Sequence, residues 1–351
     1  MIRGTTARQS GTRSRLQSGM TLLCMLGAAA LPALSGCGIT APDAAKSSTG
    51  SSTAAAGVVP DGAQLGLAWN GSDATLRPIT GVPGSAQFGS SIVVAGNYGN
   101  AAYSAQSNAA LLIDKANNLY LLATPSGQPA LLTQGISAHA SIAFSPLGSS
   151  AVVFTPGAAA ATVVRGLPQQ PLASQVPAGS AILGAAISEA GTLLLATGSG
   201  SGVAISTVTA GGARTAVTAV GAYGGMAFVA GSEDFLLADA AANTLARVHN
   251  GAIQVVAAQT DGLNKPLAVA ASLDGRWAVT ANRSDGTLVR VDLTSGTPPA
   301  RSSCSCSPTG LTPLNGNAVF ELTAPGASSS WMIEADDPTP RVLFIPPPRH
   351  G

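Results

Sequence analysis

Charge is scarce in this sequence: 9% of its 351 residues are Asp, Glu, Lys or Arg, against about 25% in an ordinary soluble domain. Aromatic residues are scarce as well, at 4%. Stacking on single-stranded bases needs aromatic rings, and holding a phosphate backbone needs clustered Lys and Arg. The two shortages together exclude a nucleic-acid partner. Past residue 60 no amphipathic helical pattern of ten residues or more can be found. The longest apolar run, residues 20–34, has fifteen residues, short of the roughly 20 that a membrane-spanning helix needs. What the sequence has in quantity is turn chemistry, with 42 Gly and 23 Pro. Its apolar share of 46% supports a large core and excludes disorder, which requires low hydrophobicity and high net charge.

The few charges are unevenly placed. Arg3, Arg8, Arg13 and Arg15 precede the apolar run with no acidic residue among them, and the chain after Cys37 carries a net charge of −3. A basic start, a short apolar stretch and small residues at its end describe a secretory signal. The segment Leu34-Ser35-Gly36-Cys37 resembles the bacterial lipobox, a Leu and two small residues before a Cys. That resemblance implies a signal peptide over residues 1–36 and a diacylglyceryl group on Cys37, which becomes the mature N-terminus. The other reading of the residues is an ordinary signal peptide with an incidental Cys. Acyl chains in combination anchor lastingly where one binds marginally. The implied address is the cell envelope, at the periplasmic face of the outer membrane or at the cell surface, and no Arg-Arg pair marks the twin-arginine route. Residues 37–60, with KSSTGSSTAAAG in their middle, have the composition of a flexible tether.

From residue 61 to 346 the sequence is periodic. Apolar runs of five to seven residues alternate with Gly, Pro, Asn, Asp and Ser, which is the signature of strands and turns. A strand–turn–strand unit recurs as ASIAFSPLGSSAVVFT (140–155), GAAISEAGTLLLAT (184–197), GMAFVAGSEDFLLAD (225–239) and AVAASLDGRWAVTAN (268–282). Its turn glycines, Gly148, Gly191, Gly231, Gly275 and Gly316, are 43, 40, 44 and 41 residues apart, and Asn108 precedes them by 40. A repeat of 40–45 residues with four strands per unit marks an all-β propeller blade. The sixth unit reads as strands at 267–272, 276–281 and 286–292 with a poorer one at 300–304. Six units fit between residues 100 and 346. Strands at 64–69, 74–79 and 91–95 before them read as a shortened first blade. Seven blades result; six blades plus a hairpin is the alternative, and residues 347–351 form a tail.

SLDGRWAVTAN (272–282) followed by TLVRVDL (287–293) resembles the YVTN-type repeat of lactonase-like seven-bladed propellers. The segments LRPITGVPGSAQFG (76–89), CSCSPTGLTPL (304–314) and PRVLFIP (340–346) resemble those of a group of uncharacterised bacterial propeller proteins. Neither resemblance implies a defined activity for this chain, though the first raises a lactonase-like hydrolase as an alternative function.

Candidate site residues are few. Loops joining second to third strands, and loops joining blades, share one face of a propeller, and there this reading places Lys115, His139, Asp261, Lys265, Arg283, Asp285, Cys304 and Cys306. His139, Lys265, Arg283 and Asp285 are the candidates for ligand binding, against the plainer reading that they are solvated loop residues. Cys304 and Cys306 have three readings: a structural or redox-labile disulfide in an oxidising compartment, which would make them a redox pair, two free thiols, or half of a metal site. No further Cys or His stands at a companion spacing for zinc. His249 and His350 read as structural or solvated. The innermost strands are Ala, Ile, Phe, Ser and Leu, with no repeated carboxylate to hold a divalent ion. The expectation is therefore a lipid-anchored binding or scaffold module without catalytic residues. It would have no cofactor beyond the lipid on Cys37, and its partners would be the membrane and an envelope protein or small ligand.

Overall fold

The computed structural model describes residues 63–347 apart from 126, 201, 284, 323–329 and 337. The signal, Cys37 and the tether lie outside the described residues, as does the tail from residue 348, His350 included. The described chain forms seven antiparallel four-stranded sheets arranged as the blades of a β-propeller. One 3-10 turn, Gln259–Asp261, is the only helical element among the described residues. Each blade is a single contiguous stretch of chain, and no strand is exchanged between blades. The first strand of each blade is the innermost. These are Gln64–Asn70, Tyr98–Ser104, Ser141–Phe144, Ile182–Ile187, Tyr223–Phe228, Pro266–Ala271 and Thr312–Pro313.

The periodicity read from the sequence has a direct physical basis. Gly148, Gly191, Gly231, Gly275 and Gly316 all take positive φ at the first turn of their blades, and Asn108 does so at φ 51°. Glycine meets no steric penalty there, and Asn is among the few side chains that tolerate it. The sixth blade has strands at Pro266–Ala271, Trp277–Asn282, Thr287–Asp292 and Ala300–Ser303, within a residue or so of the sequence reading. The first blade is indeed curtailed. Gln87–Phe88 and Ile92–Val93 both pair with its second strand, Thr75–Thr80. They are two halves of one broken third strand, and Gly89 donates its N–H to Pro78 O at 2.7 Å in the break.

The core consists of seven apolar wedges, one between each pair of neighbouring blades. In the strand Ala109–Asp114, Ala110 and Leu112 enter the wedge towards the first blade, while Ala109, Leu111 and Ile113 enter the next. Both faces of such a strand are buried, so it reads as a continuous apolar run rather than an alternating one. In the third strand of the sixth blade, Val289 and Val291 pack towards the fifth blade and Leu288 towards the seventh. The ring closes where Leu65, Ile79 and Phe88 of the first blade meet Leu314, Val319, Met332 and Ile345 of the last. Asn315 fixes the register of this seam, donating its backbone N–H to Leu65 O at 2.6 Å and its side-chain amide to Gln64 O at 2.8 Å.

Candidate functional site: the central channel

Five innermost strands begin with the same irregularity. Pairing with the second strand skips a residue at Gln64/Gly66, Tyr98/Asn100, Ile182/Gly184 and Pro266/Ala268, and two residues at Tyr223/Met226. Bulges turn the chain locally and let backbones approach closely. Here they narrow the channel at the end that faces the inter-blade loops. Gly184 leaves room for the Tyr223 ring, which a Cβ would strike at 2.2 Å. Burial pushes the Tyr223 hydroxyl up to about 12. Gly225, at φ +110°, lies so close to the next strand that a Cβ would stand 2.9 Å from the Ala268 Cα.

Beyond the bulges the channel widens into a cavity of about 280 Å³. Its walls are the second halves of the innermost strands, such as 67–69, 101–104, 185–187 and 226–228. The cavity therefore lies towards the first turns of the blades, at the far end from the inter-blade loops. Its lining is mainly Ala, Leu, Ile, Met and Phe. Ala102 and Ala227 line it and belong to neither adjoining wedge.

Several polar groups at the wall are already engaged. Gln106 donates its amide to Leu314 O at 3.1 Å, linking the second blade to the last across the channel rim. Ser145 Oγ donates to Glu189 Oε2 at 3.0 Å and accepts the Ser150 N–H. Asn317 exchanges hydrogen bonds with Asp274 through both ends of its amide. Glu321 accepts from Ser330 Oγ at 2.7 Å. Among the described residues no group of three His, Cys, Asp or Glu side chains converges as a metal site would require. The arrangement is a preformed apolar hollow with a few fixed polar groups, the usual make-up of a small-molecule pocket.

The residues singled out from the sequence lie elsewhere. Lys265, Arg283, Asp285, Cys304 and Cys306 come together where the sixth blade meets its neighbours. Lys265 sits at φ 49° with its N–H donated to Asn243 Oδ1 at 2.6 Å, and its carbonyl accepts the Arg283 N–H at 3.0 Å. Asp285 accepts from Asn264 Nδ2 at 3.1 Å and from the Thr287 hydroxyl at 2.6 Å. Partial burial pushes its carboxyl up, but these bonds outweigh that and hold it below the usual value. The sulfurs of Cys304 and Cys306 are joined, and the Cys304 N–H is donated to Gly286 O at 3.1 Å. His139 is exposed at the junction of the second and third blades, apart from this group, with its N–H accepted by Ser137 Oγ. Lys115 is exposed in the second blade, and Asp261 accepts the Ala258 N–H in the 3-10 turn. None of these residues lines the cavity. His249, at a strand end, meets Asp234 Oδ2 through Nδ1 at 2.6 Å, and Arg247 meets the same oxygen at 2.8 Å.

Sequence reasoning missed the cavity itself and the interblade role of Glu189. The Ala, Ile and Phe of the innermost strands were legible, but side-chain type does not reveal that bulges narrow one end of the channel.

No known family model matches the sequence, and no curated protein matches it. Among solved structures, a protein from Lactobacillus plantarum is similar at a TM-score of 0.57 and 12% identity, over 81% of this chain and 97% of that one. A functionally unknown protein from Desulfotomaculum acetoxidans is similar at 0.54 and 13%, over 82% and 100%. A streptogramin B lyase structure is similar at 0.54 and 16%, over 78% and 87%. At such identities the likeness is one of fold.

Proposed function

We propose that this propeller is a binding module of the bacterial cell envelope, held to a membrane by lipid on Cys37 and taking a small apolar ligand into its channel. The observation that carries the binding role is the cavity of about 280 Å³, with a mainly apolar lining and Gln106, Ser145, Asn317 and Glu321 at its wall already partnered. A ligand entering it exchanges water for apolar contacts, worth about 25 cal/mol per Å² buried. A cavity of about 150 Å³ takes a benzene ring, so this one suits a molecule of one to two rings. The anchor rests on Leu34-Ser35-Gly36-Cys37 and the run before it. Residues 37–60 would give the ring freedom to stand off the membrane surface.

Two measurements test the reading. The full chain expressed in a bacterial host is expected in the membrane fraction with acyl mass on Cys37, and Cys37→Ser in the soluble envelope fraction. Recovery of the unaltered chain without acyl mass would remove the anchor. 1-Naphthylamine, a largely apolar fluorophore of two fused rings, is expected to bind saturably. Binding should weaken at least tenfold in Ala227→Phe, which fills the void, while the circular dichroism stays unchanged. Equal binding by Ala227→Phe would place the ligand elsewhere. Turnover of a lactone by the purified protein with a divalent ion would overturn the non-enzymatic reading.

A further inference from the structure

Arginines in this charge-poor chain mostly have oxygen partners that account for them. Arg77, Arg247, Arg276 and Arg341 pair with Asp73, Asp234, Asp292 and Glu334. Arg301 is spent on the carbonyls of Thr260 and Asp261 in the 3-10 turn. Arg165 and Arg214 differ. Both line one groove of about 370 Å³ at the rim, between the outer strand of the third blade, Leu172–Pro177, and the turn 209–212 of the fourth. Among the described residues neither has a carboxylate within 4.0 Å.

Neutral oxygens hold the two guanidinium groups in place. Arg165 donates through Nη2 to Gly191 O at 3.0 Å and through Nη1 to Ser174 Oγ at 3.4 Å. Arg214 donates through Nη1 to Ser206 Oγ at 3.1 Å and through Nη2 to Pro177 O. Each guanidinium has five N–H donors, so both keep donors to spare. The turn opposite is built from Thr209, Ala210, Gly211 and Gly212. Its closing bonds use the N–H groups of Gly212 and Ala213, both accepted by Thr209. The Ala210 and Gly211 N–H groups have no acceptor among the described residues. Gly212, at φ +87°, has open space where a side chain would stand.

Two positive groups pre-positioned by neutral partners, facing a glycine turn with free amides, make a surface suited to a tetrahedral oxyanion. Guanidinium forks match phosphate oxygens, and successive turn amides add donors of the same sign. We propose that this groove is an anion site for a phosphate group, either free or carried on a lipid headgroup. It lies apart from the channel: no residue lines both. The anion would supply the negative charge that no side chain among the described residues provides to these two arginines.

The test uses the full chain, with unfolding temperature followed against inorganic phosphate at constant ionic strength in chloride. A ligand that binds only the folded state raises that temperature saturably. Ala210→Asp places a carboxylate at the groove mouth without touching either arginine or its anchors. It should weaken phosphate at least tenfold and leave the phosphate-free unfolding temperature within a few degrees. Arg165→Gln/Arg214→Gln should abolish the effect. Phosphatidylcholine vesicles with and without phosphatidic acid then separate the sources. Co-sedimentation of the Cys37→Ser chain only with phosphatidic acid, lost in Ala210→Asp, assigns the headgroup; a phosphate response without it assigns the free ion. Neither a phosphate response nor phosphatidic acid binding, or responses equal in Ala210→Asp, overturns the proposal.

Discussion

The carboxylates illustrate how a chain with so few charges uses them. Asp292 is nearly sealed from solvent, yet it accepts Arg276 Nε at 3.0 Å and Nη2 at 2.9 Å, together with the hydroxyl and N–H of Thr294 and the N–H of Ser295. Burial pushes its carboxyl up, but the Arg276 bonds and the turn donors outweigh this and hold it well below the usual range. Arg276 and Arg290 also lie over the Trp277 ring, at 4.4 and 4.2 Å from its centroid. A carboxyl held below its unfolded value, which is near 3.9, stabilises the fold above that pH. The contribution is lost as pH falls through the folded value. The urea midpoint is therefore expected to drop on acidification below about pH 4. Asp292→Asn should lower it at pH 7 and make its acid slope shallower. An acid slope as steep in Asp292→Asn as in the parent chain would show that other groups carry it. Asp234, Asp239, Asp274 and Asp285 are held low in the same way, by hydrogen bonds that outweigh burial, so one substitution flattens the slope without abolishing it.

Among the elements, the first turns of the blades do more than reverse the chain. Glu189, two residues before Gly191, reaches back to the third blade and accepts from Ser145 Oγ, Ser149 Oγ and the Leu147 N–H. Asn317, beside Gly316, does the same for the sixth blade, accepting the Leu273 N–H at its carbonyl and the Asp274 N–H at its side chain. Glu189→Ala should cost about 1–3 kcal/mol, because the partners it leaves are only partly re-solvated. Urea unfolding would measure the loss, and hydrogen exchange should quicken at the Leu147 amide first. Unchanged exchange there would show the tie to be idle. These turns were what made the fold legible, since a glycine or Asn at positive φ stands at six of them and recurs with the blade, Ala74 taking that place in the first. The outer strands were harder to read. Leu172–Pro177 and Ala252–Ala257 face solvent along most of their length, so no wedge imposes an apolar pattern on them. The candidate site was legible only in part. Lys265, Arg283, Asp285 and the two cysteines do share one corner of the ring, while the cavity and the Arg165–Arg214 groove depend on where backbones bend, which residue spacing does not encode.

For the molecule as a whole, the decisive contact is the seam between the first and last blades. Among the described residues it has no shared strand, and it rests on the wedge of Leu65, Ile79, Phe88, Leu314, Val319, Met332 and Ile345. Ile345 is fully buried on the last strand. Ile345→Ala should therefore cost about 2–5 kcal/mol, where Ile253→Ala on an exposed outer strand should fall within about 0.5 kcal/mol. Urea midpoints of the two variants compare them, and equal losses would mean that the seam does not limit stability. Contiguous blades have a kinetic counterpart. Every sheet pairs residues close along the chain, so six junctions can form in order as the polypeptide emerges, at low contact order. The seventh must wait until residues 312–345 are available, and it joins segments about 250 positions apart, as Asn315 and Gln64 show. Until then the chain is an open arc with two uncovered apolar ends. The interval before that last docking step is when one unfinished molecule can stick to another.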